Sequence, residues 1–102
     1  MFRPNYKGTL TMAANASSQS IALPSSGGLL LRVQNAGPDI AFCELSADAN
    51  LPAAAPTGNV SGGFPVFANQ PALTVQLRAT DTRVACVSAG NSSVYFTRGD
   101  TI

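Results

Sequence analysis

Two cysteines, five carboxylates and a single lysine are the side chains of this sequence with chemistry to offer, and no histidine accompanies them. Histidine is the commonest general base, the usual partner of a serine or cysteine nucleophile and the commonest metal ligand, so those mechanisms have no candidate. The acids Asp39, Glu44, Asp48, Asp81 and Asp100 are scattered, and no spacing nominates two of them as the acid and base of a glycosidase. Lys7, near the N-terminus, is a poor candidate for a Schiff-base or Ser-Lys mechanism. Cys43 and Cys86 cannot by themselves complete a tetrahedral zinc site. They read as a strand-to-strand disulfide or as two small buried hydrophobes, the second being favoured in a reducing cytoplasm. No enzyme, cofactor or metal is expected.

Short motifs add little. Arg98-Gly99-Asp100 spells an integrin-binding tripeptide, but Gly99 is equally well a turn residue that ends the last strand. Asn15-Ala16-Ser17, Asn59-Val60-Ser61 and Asn91-Ser92-Ser93 match the N-glycosylation pattern, as chance allows in a chain rich in Asn and Ser. Ser26-Gly27-Gly28 precedes a strand-like run, whereas phosphate cradles precede a helix.

The elements that must position any site are short and extended. Leu31 and Val33 alternate with Arg32 and Gln34; Leu73, Val75 and Leu77, read as inward, alternate with Thr74, Gln76 and Arg78. Such period-two alternation marks half-buried strands. Residues 9–12 and 20–23 are shorter candidates, and 40–45 reads as a strand with a helical turn allowed over 46–50. Residues 83–89 and 93–98 form a final pair across Gly90-Asn91-Ser92, read as a hairpin. Seven prolines and nine glycines, evenly spread, leave few windows for a stable helix. The expected fold is all-β: an antiparallel β-sandwich, jelly-roll-like, with a long irregular loop and an N-terminal arm. Residues 1–8 are the extended arm and 9–102 the single domain. Phe2 and Tyr6 need cover that the arm itself lacks, from a neighbouring subunit or from its own domain. The Ser46–Pro65 stretch, rich in Ala, Pro, Gly and Asn, is either a mobile surface loop or a partner-contacting one.

Charged residues are only 11% of the chain, against roughly 25% in an average soluble domain. Its polar surface is built instead from Ser, Thr, Asn and Gln, 29 residues in all. Hydroxyls and amides need only a hydrogen bond to be buried, whereas ions are expensive to dehydrate, so such a surface suits protein contacts. Net charge is +1 and the basic residues are dispersed, which disfavours nucleic acid as a partner. No apolar run approaches the roughly 18 residues that would span a bilayer, and residues 10–13 are too short and polar for a signal peptide's core.

Several stretches resemble a group of small phage and prophage virion proteins. They are Leu30 to Gly37, Ile40 to Leu45, Pro65 to Ala68, Val84 to Gly90 and Val94 to Gly99. In that group a valine-x-asparagine-x-glycine strand end leads into an alanine-phenylalanine strand, as Val33, Asn35, Gly37, Ala41 and Phe42 do here. The resemblance covers roughly residues 29 to 99, departs from the group in its longer loop after Leu45 and in Cys43, and lends no catalytic residue. It implies a homo-oligomeric structural protein made in the host bacterial cytoplasm and placed on the exterior of a tailed-phage capsid. There it would decorate or cement the shell, with the major capsid protein and copies of itself as partners. Phe2, Arg3 and Tyr6 of the arm and Leu51, Val60 and Phe64 of the loop are the expected contacts. A receptor- or carbohydrate-binding module on the tail or fibre is the alternative.

Overall fold

The computed structural model describes residues 1–24 and 28–101; Ser26 and Gly27 of the glycine-rich stretch lie outside the described residues. Eight strands and no helix occur among them: β1 Phe2–Ala14, β2 Gln19–Ala22, β3 Leu30–Pro38, β4 Ala41–Ser46, β5 Phe64–Val66, β6 Leu73–Gln76, β7 Arg83–Ser88 and β8 Ser92–Thr101. One antiparallel sheet has the order β1-β8-β3-β6 and the other β2-β7-β4-β5. The first strand thus pairs with the last, the second with the seventh, the third with the sixth and the fourth with the fifth. The chain is a long hairpin folded over once into two sheets.

Alternation explains how each sheet contributes to the single core. In β3, Leu31, Val33, Asn35 and Gly37 turn inward while Arg32, Gln34 and Ala36 turn out. Met12, Leu31, Val33, Val94 and Phe96 of the first sheet meet Ala41, Cys43, Val66, Val84 and Cys86 of the second. Fully burying a side chain such as Phe96 contributes about 1.5–3 kcal/mol.

The Gly90-Asn91-Ser92 turn joins two different sheets, so the expected C-terminal hairpin is not formed. Beside it the Gly37–Asp39 turn also crosses from sheet to sheet, and the two crossings are bonded together. Asp39 N donates to the Asn91 carbonyl oxygen (3.3 Å), Asn91 N donates to Asp39 Oδ2 (2.9 Å), and Ser92 Oγ donates to the Asp39 carbonyl. Ser88 Oγ donates to the Ile40 carbonyl (2.7 Å). The centre of the corner is the buried Asn35, whose Nδ2 donates to the carbonyls of Asp39 (2.8 Å) and Val66 (2.9 Å). Its Oδ1 accepts from Gly37 N at 2.8 Å. Gly37 has φ +91°, a left-handed conformation that glycine adopts without a Cβ penalty. The valine-x-asparagine-x-glycine pattern therefore has a structural meaning: it fastens a sheet-to-sheet corner.

The first eight residues do not stand apart as an arm. Phe2, Arg3 and Pro4 pair with Thr101, Asp100 and Gly99, which makes them the outer half of β1 on the chain's own sheet. The reason lies in Gly99, which sits within β8 instead of ending it. A Cβ there would collide with the Arg3 carbonyl and come within 2.7 Å of Phe2 Cζ, so the glycine is what lets β1 and the Phe2 ring close over the strand. Arg98 donates from Nε to the Gly28 carbonyl (3.0 Å) and from Nη1 to the Pro24 carbonyl (2.8 Å). With its arginine tied down and its glycine buried, the Arg98-Gly99-Asp100 tripeptide is a strand segment and not an adhesive loop tip.

Candidate interaction surfaces

The chemistry-bearing side chains do not converge. No group of three or more Cys, Asp or Glu that could hold a metal occurs among the described residues. Cys43 and Cys86 are directly opposed in β4 and β7, their sulfurs 2.7 Å apart as free buried thiols. The hydrogen bond to Cys86, together with burial, pushes the Cys43 thiol far above its ordinary value, so it is no nucleophile at neutral pH. Asp81 is buried in the turn after β6. Burial alone would raise its carboxyl, but hydrogen bonds from the Arg78 backbone N–H (2.9 Å) and guanidinium (3.3 Å), with the arginine's charge, hold it below the usual carboxylate value.

The expected contact residues fall into two separate places. On β1 the register slips: Pro4 faces Gly99 and Thr9 faces Thr97, leaving Asn5 to Gly8 opposite Arg98 alone. This bulge lifts Tyr6 into solvent, 87% exposed, with Lys7 Nζ 5.6 Å from its ring centroid. Arg3 is exposed beside it, whereas Phe2 is half-buried with its ring 4.5 Å from the Arg32 guanidinium carbon.

Leu51 and Val60 belong to the connection between β4 and β5, which folds back on its own sheet, and Phe64 is the first residue of β5. Ala53 N donates to Ser18 Oγ (2.8 Å), on the far edge of that sheet, and Gly63 N then donates to the Ala54 carbonyl (2.7 Å). The segment thus straps across the outer face of β7, where Ala85 is only 4% exposed. Over residues 48–51 there is a turn rather than a helix, closed by Leu51 N donating to the Asp48 carbonyl (3.2 Å). Leu51 is exposed and borders a groove of about 270 Å³ with Ser18, Ser20 and Pro52. Val60 closes a small Thr57–Val60 turn and is 66% exposed. Phe64 points the other way: it is opposite Cys43, shares that residue's inward face and packs, partly buried, against the core.

Two surfaces were not foreseen. The outer face of the first sheet carries Thr9, Thr11, Tyr95, Thr97, Gln34 and Thr74, with Thr9 Oγ1 and Thr97 Oγ1 hydrogen-bonded at 2.8 Å. Between the edges β5 and β6, Phe67 (59% exposed), Leu73 (41%), Pro65 and Pro71 border an apolar groove of about 280 Å³. Leu73, expected inward, is 41% exposed because β6 is an edge strand and the groove beside it is open. The alternation that flagged Leu73 carries no information about whether anything covers it.

These features define a small all-β protein of two four-stranded antiparallel sheets. No family model, curated protein or solved structure matches the chain.

Proposed function

We propose that this chain is a jelly-roll structural module of a tailed-phage particle, decorating or cementing the capsid exterior through contacts with the major capsid protein and with its own copies. It acts by binding and not by catalysis. The observation that supports this reading is the strand order: first pairs with last through fourth with fifth, over two four-stranded sheets, the nesting that a jelly roll requires. Viral capsid and lectin domains share that architecture. Support comes from the low charge of the chain and from Tyr6 and Val60 standing free on two different sides. Weak contacts of this kind become strong attachment when many copies act together.

The test is to mix the purified protein with shells that lack it. Co-sedimentation and a gain in resistance to heat or low ionic strength are expected. Shells that neither bind it nor gain robustness would remove the cementing role.

A second reading is favoured by one observation, Tyr95 exposed among the hydroxyls of Thr9, Thr97 and Thr11 on the first sheet. Lectins use the same architecture, and a tail- or fibre-borne carbohydrate-binding module would place its sugar on that face. Glycan-array binding abolished by Tyr95→Ala would establish it, and an empty array would dismiss it.

A further inference from the structure

Among the described residues the two sheets end in four edge strands, β1, β6, β2 and β5. An edge presents unpaired backbone groups, and proteins blunt edges with bulges, charges, prolines or covering segments. β1 carries Arg3, Pro4 and the Asn5–Gly8 bulge with Lys7. β5 is three residues long with Pro65 at its centre. Beside β2 stands the strap, with Ala49 to Pro52 next to Ser18–Ser20 and Ala53 bonded to Ser18. β6 is also short, four residues, but has no bulge, charge, proline or covering segment among the described residues. Leu73-Thr74-Val75-Gln76 pairs with β3 in unbroken register and contains no charge, proline or glycine.

The phase of that pairing fixes what the free edge offers. Leu77 N donates to the Leu29 carbonyl at 2.7 Å, and the register alternates from there. Leu31 with Val75 and Val33 with Leu73 are therefore the hydrogen-bonded pairs. The N–H and C=O groups of Thr74 and Gln76 point away from β3, off the edge.

We infer that β6 is a self-association edge, pairing antiparallel with β6 of a second copy about a two-fold axis through Val75. In that register Thr74 of each strand faces Gln76 of the other, so all four outward N–H groups meet outward carbonyls. The two first sheets become one continuous eight-stranded sheet. A second copy satisfies every outward group of the edge, because its donors and acceptors are complementary to their own two-fold image. Charge points the same way: no charged residue lies between Asp48 and Arg78. Arg78 already gives its N–H and guanidinium to Asp81, and the axis keeps the two Arg78 residues at opposite ends of the seam. A standard interface takes about 800 Å² from each partner, a sizeable share of the 5860 Å² surface and more than four edge residues can supply. The exposed Phe67 and Leu73 beside the edge add apolar surface to the seam. The inference goes beyond the particle reading and does not depend on it, since its test needs no shell.

Sedimentation equilibrium on the purified chain measures the association, and amide exchange at two concentrations locates it. The 10.4 kDa chain is expected to dimerise with a Kd on the order of 10 µM, in the range of small, weak interfaces. The Thr74 and Gln76 amides should become protected as concentration rises. Thr74→Lys places two ammonium groups near the axis from an outward-facing position and should weaken association at least about tenfold; Val60→Lys, on the strap, should not. Circular dichroism confirms folding, and if Thr74→Lys is unfolded, Gln76→Lys on the same face decides. A strict monomer, a dimer indifferent to these lysines, concentration-dependent protection at another edge, or pairing of β6 with a different protein in place of its own copy would overturn the proposal.

Discussion

Asn35→Ala tests the sheet-to-sheet corner directly. The side chain is 1% exposed and makes three hydrogen bonds, to the carbonyls of Asp39 and Val66 and from Gly37 N–H. After truncation the Asp39 carbonyl keeps its bond from Ser92 Oγ. Gly37 N–H is left buried with its acceptor gone, and the Val66 carbonyl loses its donor. Each buried polar group deprived of a partner costs about 1–3 kcal/mol, so a loss of about 4 kcal/mol is expected. Unfolding a domain of this length has an entropy of about 0.2 kcal/mol per kelvin, so Tm should fall by about 20 °C. Total stability for such a domain is only about 5–15 kcal/mol, so the variant sits near the limit of folding. Thermal and denaturant unfolding followed by circular dichroism reads the change. Gln34→Ala, next along β3 but facing solvent, is the control and should move stability by less than about 0.5 kcal/mol. Asn35→Asp sharpens the point, because a carboxylate cannot donate to two carbonyls and its folded pKa must rise above its unfolded value. That variant should be most stable at acid pH and lose stability as pH rises through the raised pKa. If Asn35→Ala costs less than about 1 kcal/mol, hydrogen-bond satisfaction at this corner is not what holds it.

Three further outcomes follow from the geometry. Because the Asp81 carboxyl is held below its ordinary value, its contribution is complete above the unfolded pKa near 4 and is lost as pH falls through the lower folded value. An acid unfolding series should show this loss, and Asp81→Asn should flatten it; an identical acid slope in the variant would count against the Arg78 pairing. The Cys43 and Cys86 thiols, both buried, should be inert to a thiol-specific disulfide reagent in the native protein and should both react once unfolded. Rapid native labelling would contradict their burial. Gly99→Ala forces a methyl group into the Arg3 carbonyl and the Phe2 ring, and should cost about 1–3 kcal/mol. Amide exchange should show residues 2–4 released from β8, and unchanged protection there would refute the close approach.

Strand existence was readable wherever one face is buried and the other wet. The pattern in 29–35 and 93–98 follows burial in β3 and β8, and the alternation in 73–78 coincides with β6 although Leu73 is left open there. β5 escaped detection because three residues with a proline show no period. The strap was legible as irregular, but its course over β7 depends on Ala53 reaching Ser18, a contact 35 residues apart in sequence. Of the expected contact residues, Arg3, Tyr6, Leu51 and Val60 are exposed while Phe2 and Phe64 are half-buried, Phe64 because pairing with Cys43 decided which way it turned. The apolar groove had no linear signature, because Asn35, Val66 and Leu73 are brought together by β3, β5 and β6.

By itself the sequence determined that this chain is extended, turn-rich, almost uncharged and without a histidine, because composition and two-residue periodicity are properties of neighbours along the chain. The tertiary structure decided which strands share a sheet, that Gly90-Asn91-Ser92 is a corner and not a hairpin, and that the N-terminal residues lie on β8. Turn residues specify that the backbone reverses, but the partner of each strand is chosen by burial and hydrogen bonding between segments far apart in sequence. The free edge of β6 is of that second kind: its unpaired amides exist only because no other part of the described chain came to lie beside it.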